Sequence, residues 1–272
     1  MIIINKKLIA LDLDGTTLDN NAQLSEITKT AIKKVVAAGH VVSIVTGRPN
    51  RLSENFYDEL NLTSPMINFN GNLGTQPHDS WSLEYEYNVN KEIVAELLSK
   101  QDELGINLMA VEGRSLFMAN RGASKDMGFF PTILKSNQIL DAKNLKTNPI
   151  SITVQMHPEA IGNLANYVNT HFKDDVTITP WGGNSPVMEL AAKGIQKDTG
   201  VKRVADYYGI AQKDIMAFGD ESNDYAMIKY AGLGVAMKNA ISEIKSIANA
   251  TTDFNNQENG VAHFLTNYFE LN

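Results

Sequence analysis

The sequence contains no cysteine, which excludes disulfide bonds and thiolate metal sites. It has no long basic run, and its formal net charge is -7, so neither nucleic acid nor an anionic membrane is expected as the main partner. No segment approaches the ~20 apolar residues of a membrane span. The initial MIIINKKLIALDLD lacks the apolar stretch and cleavage site of a signal peptide. These absences predict a soluble, cytoplasmic protein.

The length allows one large domain or two modest ones, and the order of strands and helices predicts an α/β protein. The chain has 272 residues, of which 43% are hydrophobic and 20% charged, so it can bury a full core. The apolar run Leu8–Leu11 predicts a buried strand, and the β-branched run at 41–45 predicts a second. A helical pattern lies between them. This order predicts a βαβ unit with parallel strands and a right-handed crossover.

The helices nearest the two ends of the sequence are predicted from apolar spacing. The first begins after Ser25, a plausible N-cap, and ends at Gly39. Ile27, Ala31, Val35 and Ala38 recur there at helical spacing. The second is a closing helix over 260–269. Its predicted apolar face is Val261, Phe264, Leu265 and Tyr268.

Two carboxylates, Asp12 and Asp14, directly follow the first predicted strand. Side chains two residues apart in extended backbone point the same way, so both are expected to face one crevice at the carboxyl end of the strand, where open α/β sheets bind ligands. Two acids placed together reduce stability unless a cation or a proton compensates them. The alternative is a plain strand-to-helix loop in which Asp14 and Thr16 serve turns and caps.

Two further predicted strands end in polar residues at the same edge of the sheet. The strand at 41–45 is followed by Thr46 and Gly47, and the run Ile215–Phe218 is followed by Gly219 and Asp220. A hydroxyl group and a glycine amide can bind an anion there, although ordinary turns also use these residues. The dipeptide at 70–71, Asn-Gly, predicts a tight hairpin turn without chemistry.

The pattern of apolar and polar residues changes between residues 82 and 188. Alternating segments such as Ser151–Met156 resemble half-solvated antiparallel strands, and helical patterns lie between them. We therefore predict a core domain formed by 1–81 and 189–272, with an α+β domain inserted at 82–188. The segment Trp181–Ser185 is expected to return the chain to the core. Internal repeats are not apparent.

Four segments together resemble the motifs of the haloacid dehalogenase superfamily. They are DLDGTTL at 12–18, SIVTGR at 43–48, the lysine at 197 in GIQKDTG, and GDESNDYAMI at 219–228. Their order, and the long insert between the second and third, resemble the Cof-type phosphatases with a large α+β cap (type IIB). The resemblance implies a Rossmann-like parallel core. One departure is Asp198, where Cof-type members usually carry glycine, and it could serve as an N-cap.

The resemblance also implies roles for individual residues. Asp12 would attack the phosphorus of a phosphate monoester to form an aspartyl-phosphate, and Asp14 would act as general acid and then base. The Mg²⁺ ligands would be Asp12, the backbone carbonyl of Asp14, and Asp220. The residues that could hold the metal's waters, or orient the motif lysine, are Glu221 and Asp224. The phosphoryl oxygens would be bound by the Leu13 amide, Thr46, Gly47, Lys197 and Asn223.

Several alternatives stay open in the sequence. The resemblance implies a Mg²⁺-dependent phosphatase of small phosphate monoesters, such as sugar phosphates or phosphorylated cofactors. A phosphotransferase or mutase would use the same site, and a non-catalytic sensor of phosphorylated metabolites would need no nucleophile. Arg48 either binds substrate or closes its loop. The natural substrate and oligomeric state are not predicted. Candidate cap residues for specificity are Arg114, Phe117, Arg121 and Trp181.

Overall fold

The computed structural model describes residues 5–124, 128–181 and 186–271. The strands are β1 Leu8–Leu11, β2 Val41–Ile44, β3 Met66–Asn68, β4 Leu73–Thr75, β5 Tyr85–Glu86, β6 Ile106–Glu112, β7 Phe117–Ala119, β8 Ser151–Met156, β9 Val176–Pro180, β10 Val187–Ala192, β11 Ile215–Gly219, β12 Leu233–Ala236 and β13 Ala250–Thr251. The α-helices are α1 Glu26–Ala37, α2 Glu54–Leu60, α3 Lys91–Ser99, α4 Ile161–His171, α5 Lys197–Tyr208, α6 Tyr225–Tyr230, α7 Ser242–Ile247 and α8 Gly260–Phe269.

The first compact unit runs to Tyr85 and resumes at Gln196. Its central sheet is parallel, with the strand order β13-β12-β11-β1-β2. All four residues of β1 are buried, as expected for a parallel strand covered on both faces, which reads as a continuous apolar run. A small sheet, β3-β4-β5, completes the unit. The predicted α/β class with a parallel core is confirmed.

The second unit runs from Glu86 to Ile195. Its sheet is antiparallel, with the order β7-β6-β8-β10-β9. Apolar residues of α3 and α4, including Leu97, Leu164 and Val168, share one buried cluster with residues of the sheet such as Met109 and Val154. The predicted α+β insert is therefore present.

The structure divides the chain at different residues from those chosen in the sequence. Along the chain, the boundaries between the units fall after Tyr85 and after Ile195, whereas the sequence placed them after residues 81 and 188. Strand pairing explains the difference: β5 is hydrogen-bonded to β4, and β10 pairs with both β8 and β9. The segment Trp181–Ser185 thus precedes a strand of the second unit instead of returning the chain, and its residues 182–185 lie outside the described ones.

The predicted start of α1 is confirmed, and its buried face is shifted from the residues whose spacing indicated the helix. The hydroxyl of Ser25 accepts a hydrogen bond from the Thr28 N–H, as an N-cap does. Ile27 is 56% exposed, and Ala38 is also exposed. The residues of α1 that are buried are Thr28, Ala31, Ile32 and Val35.

Two further expectations about helices need correction. The N-cap of α5 is Gln196, and Asp198 lies in the first turn, where its carboxylate pairs with Lys202 at 2.6 Å. Helix α8 has the predicted bounds, but Tyr268, assigned to its apolar face, is 43% exposed. None of the helices in the described part of the chain has the length and apolarity needed to cross a bilayer.

Candidate active site

The candidate site lies at the carboxyl edge of the parallel sheet. Strand β1 lies between β2 and β11, with Leu11 in register with both Ile44 and Phe218. The segments that follow these three strands therefore begin side by side. The Asp12 N–H continues the ladder by donating to the Phe218 carbonyl oxygen at 3.2 Å.

A buried lysine joins two of the predicted acids. Lys197, the first residue of α5, has an exposure of 0%. Its Nζ donates to Oδ1 of Asp12 and to Oδ1 of Asp224, each at 2.6 Å. A buried ammonium is strongly unfavourable unless it is paired. The fold thus holds a compact ion cluster directly after β1.

Asp224 is held on both of its carboxylate oxygens. Its Oδ1 accepts from Lys197, and its Oδ2 accepts the backbone N–H groups of Asp220 at 2.8 Å and Glu221 at 3.1 Å. Gly219 permits this approach, because a Cβ there would lie 2.4 Å from Cγ of Asp224. Asp224 therefore fixes the loop after β11.

The pKa values of three groups at the site are shifted by burial and by neighbouring charges. Burial raises the pKa of Asp12 well above its ordinary value, although Lys197 opposes this. Burial also raises the pKa of Asp220 to about 7, against a hydrogen bond from Thr16. Burial alone would lower the pKa of Lys197, but the charges of Asp12 and Asp224 outweigh it and raise that pKa.

The donor set fits a hard divalent cation. One carboxylate oxygen from each of Asp12, Asp220 and Asp224 lies within 4.8 Å of the others, and oxygen-only ligands suit Mg²⁺. Three acids face one lysine, so a divalent charge would compensate them. Because both oxygens of Asp224 are already hydrogen-bonded, Asp12 and Asp220 are the better candidate ligands. The predicted outer partner Glu221 is exposed.

The loop after β1 orients Asp220. The Thr16 hydroxyl donates to Oδ1 of Asp220 at 2.7 Å. Gly15 has a φ of +70°, and a Cβ at this position would lie 2.2 Å from Oδ2 of Asp220. The side chain of Asn239 donates to the Gly15 carbonyl oxygen at 2.8 Å. Glycine is thus required here both for its backbone and for space.

Asp14 lies outside the buried ion cluster. Its carboxylate is bound by Arg48 through two hydrogen bonds, Nε to Oδ2 at 2.7 Å and Nη2 to Oδ1 at 2.6 Å. The Asp14 side chain is 52% exposed, whereas that of Arg48 is 12% exposed. The guanidinium also lies over the ring of Phe56. A role for Arg48 in holding Asp14 was not among the alternatives considered for it in the sequence.

Comparison with known proteins identifies the family. The family model for haloacid dehalogenase-like hydrolases matches residues 9–265. The chain belongs to this family. It is 33% identical to 5-amino-6-(5-phospho-D-ribitylamino)uracil phosphatase YitU of Bacillus subtilis, over 97% of this chain and 98% of that protein. It is 30% identical to a putative phosphatase of Metamycoplasma hominis, over 95% of each.

Solved structures share the fold of this hydrolase. A haloacid dehalogenase-like hydrolase from Bacteroides thetaiotaomicron has a TM-score of 0.85 at 20% identity, covering 97% of this chain and all of that one (100%). TM0651 from Thermotoga maritima has a TM-score of 0.82 at 22% identity, covering 96% and 97%. The expected superfamily is confirmed, as is the enzyme class at the family level: a haloacid dehalogenase-type phosphoric monoester hydrolase.

In this hydrolase, four of the predicted site residues lie together, whereas Asp14 is bound to Arg48 outside that group. Asp12, Lys197, Asp220 and Asp224 form the ion cluster described above. Thr46 follows β2 and is buried, and its hydroxyl accepts the Arg48 N–H at 3.1 Å. The Leu13 side chain is buried.

Two residues of the site were not identified as such from the sequence. Thr16 was assigned only to turns and caps, yet it binds Asp220. Asn70 was assigned to a hairpin turn, yet its Oδ1 accepts a hydrogen bond from Nδ2 of Asn223 at 3.0 Å. The position of Thr16 within the DGT motif was a usable signal. No signal in the sequence distinguishes Asn70 from an ordinary turn residue.

Proposed function

We propose that this hydrolase is a Mg²⁺-dependent phosphatase that cleaves small phosphate monoesters through an aspartyl-phosphate on Asp12. The observation that supports this most directly is the buried contact of Lys197 with Asp12 at 2.6 Å. A carboxylate held by a buried cation at the end of a central strand is oriented to act as a nucleophile. The relatives named as phosphatases support the same reaction.

In the first step, Asp12 attacks phosphorus and the alcohol leaves. Lys197, Thr46, the Gly47 amide, Asn223 and the Leu13 amide are the proposed phosphate-binding groups. Phosphoryl transfer depends mainly on alignment and charge stabilisation. Lys197 contributes a fixed positive charge, and its bond to Asp224 keeps it in place.

Asp14 is the proposed general acid and base. It would protonate the leaving alcohol and then deprotonate the water that hydrolyses the aspartyl-phosphate. Its carboxylate is half-exposed, and both of its oxygens accept hydrogen bonds from Arg48. The proposed role as general acid has Asp14 exchange at least one of these contacts for the leaving oxygen.

The proposed metal ligands are Asp12, Asp220 and the backbone carbonyl of Asp14, with Asp224 and Glu221 outside the ligand set. A bound Mg²⁺ would offset the negative charge shared by the acids and the substrate phosphate. Thr16 and Gly15 would keep the Asp220 carboxylate in position.

We further propose that the substrate is a small phosphorylated metabolite. The cytoplasmic location stays a prediction. Three relatives from Bacillus subtilis are named as phosphatases of 5-amino-6-(5-phospho-D-ribitylamino)uracil, at 33%, 30% and 29% identity. That compound therefore belongs in a substrate panel beside sugar phosphates. The second unit is the proposed cap, where Arg114, Phe117, Arg121 and Trp181 stay candidates for specificity.

The test is release of free phosphate from such a panel, with Mg²⁺ and with a chelator. Asp12→Asn should lower turnover at least about a thousandfold while the circular dichroism spectrum is unchanged. Asp253→Asn, an exposed acid of the same unit, is the matched control and should retain activity. Turnover by Asp12→Asn at the wild-type rate would refute the proposed nucleophile.

The same assay separates the alternatives. Phosphate release only after a second alcohol is added would favour a phosphotransferase. Binding of phosphorylated metabolites without any turnover would favour a sensor. Acid-quenched protein carrying one phosphoryl group on a peptide that contains Asp12 would support the covalent intermediate.

A further inference from the structure

The turn between β3 and β4 is a single 3₁₀ turn, Phe69–Gly71. Its central residue, Asn70, has φ 53° and ψ 32°, in the left-handed region that asparagine tolerates better than most residues. The sequence predicted a tight turn without chemistry here. Its contacts reach three of the four motif segments.

The turn is hydrogen-bonded to the loop after β2. The Asn70 N–H donates to the Thr46 carbonyl oxygen at 3.1 Å, and the Phe69 N–H donates to the Arg48 carbonyl oxygen at 3.2 Å. Between these two residues of the loop lies Gly47, where a Cβ would sit 3.0 Å from Oδ1 of Asn70. The side chain of Asn70 thus lies directly against the Gly47 backbone.

The same side chain contacts the loop after β11. Nδ2 of Asn223 donates to Oδ1 of Asn70 at 3.0 Å. A carboxamide nitrogen carries two N–H groups, so this bond orients the amide of Asn223 and leaves a second N–H for a phosphoryl oxygen. Asn223 is exposed. An exposed side chain adopts a fixed orientation before substrate binds only if a neighbouring group holds it, and here that group is Asn70.

The next residue brings the turn against the third motif. Gly71 has a φ of +102°, and a Cβ there would lie 2.1 Å from the Gln196 carbonyl oxygen and 3.2 Å from the Lys197 backbone nitrogen. The turn therefore packs against the segment that begins α5.

We propose that Asn70 is a positioning residue for the phosphate-binding groups. It holds the amide of Asn223 and the backbone of Gly47 in a common arrangement, and it acts on substrate through them. This inference rests on the proposed function, because it assigns Asn70 to the phosphate site of that reaction.

The test compares glycine substitutions at two asparagines with the same backbone. Asn70→Gly keeps the left-handed conformation and removes Oδ1. Asn61→Gly is the matched control, since Asn61 has φ 54° and ψ 45° at the end of α2 and is exposed. The quantities measured are the inhibition constant of inorganic phosphate, KM and kcat for p-nitrophenyl phosphate, and Tm.

Asn70→Gly should raise the inhibition constant of phosphate and KM about tenfold, with a Tm change equal to that of Asn61→Gly. Asn61→Gly should leave both constants unchanged. A double-mutant cycle identifies the route. If Asn70 acts through Asn223, then Asn70→Gly should add little to the effect of Asn223→Ala on phosphate affinity.

The outcomes separate this inference from the proposed function. An active wild-type enzyme in which Asn70→Gly and Asn61→Gly bind phosphate equally would overturn the inference alone. So would fully additive effects in the cycle, or a lower Tm with unchanged phosphate affinity. A wild-type protein that neither binds nor releases phosphate would overturn the proposed function, and the inference with it.

Discussion

Lys197 and Asp12 form a buried ion pair, with Nζ of the lysine 2.6 Å from Oδ1 of the aspartate. The lysine side chain is completely buried and binds Asp224 at the same distance. Two carboxylates therefore share one buried cation. Removing that cation would leave buried negative charges without compensation.

Lys197→Met is expected to reduce both stability and activity. Breaking a buried pair typically lowers the free energy of unfolding by about 3–5 kcal/mol, and loss of the positive charge that is proposed to bind the phosphoryl group lowers kcat by at least about a hundredfold. Urea unfolding and phosphate release at pH 8 measure the two effects.

The control for this prediction lies on the same helix. Lys202 pairs with Asp198 at 2.6 Å, but its side chain is 46% exposed. Lys202→Met should therefore change the free energy of unfolding by at most about 1 kcal/mol and leave kcat unchanged. Equal effects of the two substitutions would contradict the importance of burial.

Mg²⁺ should stabilise the protein more at pH 8 than at pH 5. Burial raises the pKa of Asp220 to about 7 from 3.8. A raised carboxyl pKa contributes stability below the unfolded value, and this contribution is lost as the pH rises toward the folded value. Without metal, the contribution of Asp220 to the free energy of unfolding thus falls as the pH rises from about 4 to about 7. Above about pH 7 the carboxyl group is ionised and can bind a cation.

The measurement is Tm in EDTA and in Mg²⁺ at each pH. The increase in Tm caused by Mg²⁺ should be large at pH 8 and small at pH 5, since protons compete for the carboxylates. Asp220→Asn, which has no titrating carboxyl group, should show little increase at either pH. An equal increase at both pH values in the wild type would argue against Asp220 as a metal ligand.

The parallel core and the ion cluster could be predicted from the sequence because both depend on strand ends. A strand buried on both faces reads as an apolar run, and parallel strands deliver the residues after them to one edge. Asp12 and Asp220 were found by this reasoning, and Lys197 by its motif. The contacts of Lys197 with Asp12 and Asp224 could not be derived from composition or periodicity.

The errors have equally physical causes. Ile27 lies at a helical spacing from Ala31, but it is in the first turn of α1 and points to solvent. Periodicity fixes the relative positions of side chains on a helix, whereas the direction of the apolar face depends on packing. Asn70 was missed because a left-handed asparagine serves turns and binding sites through the same backbone. Its contacts with the loops after β2 and β11 distinguish the two roles.

Asp14→Asn should impair substrates with poor leaving groups selectively. A general acid contributes most when the departing alcohol is basic, because such an alkoxide must be protonated as it leaves. We expect kcat/KM for an alkyl phosphate to fall about a hundredfold or more, and that for p-nitrophenyl phosphate to fall far less. Steady-state kinetics on both substrates measure this. An equal loss on both would indicate that Asp14 acts in binding or in hydrolysis of the intermediate.

Gly15→Ala should weaken metal activation through the position of Asp220. At this position φ is +70°, and the new Cβ would lie 2.2 Å from Oδ2 of Asp220, so the carboxylate must move. Gly209→Ala is the matched control, because Gly209 has a φ of +64° with nothing within 4 Å of a Cβ. Both substitutions should lower the free energy of unfolding by about 1–2 kcal/mol through the left-handed backbone. Only Gly15→Ala should raise the Mg²⁺ concentration needed for half-maximal activity, by about tenfold or more, and equal Mg²⁺ requirements in the two variants would contradict this role for the loop.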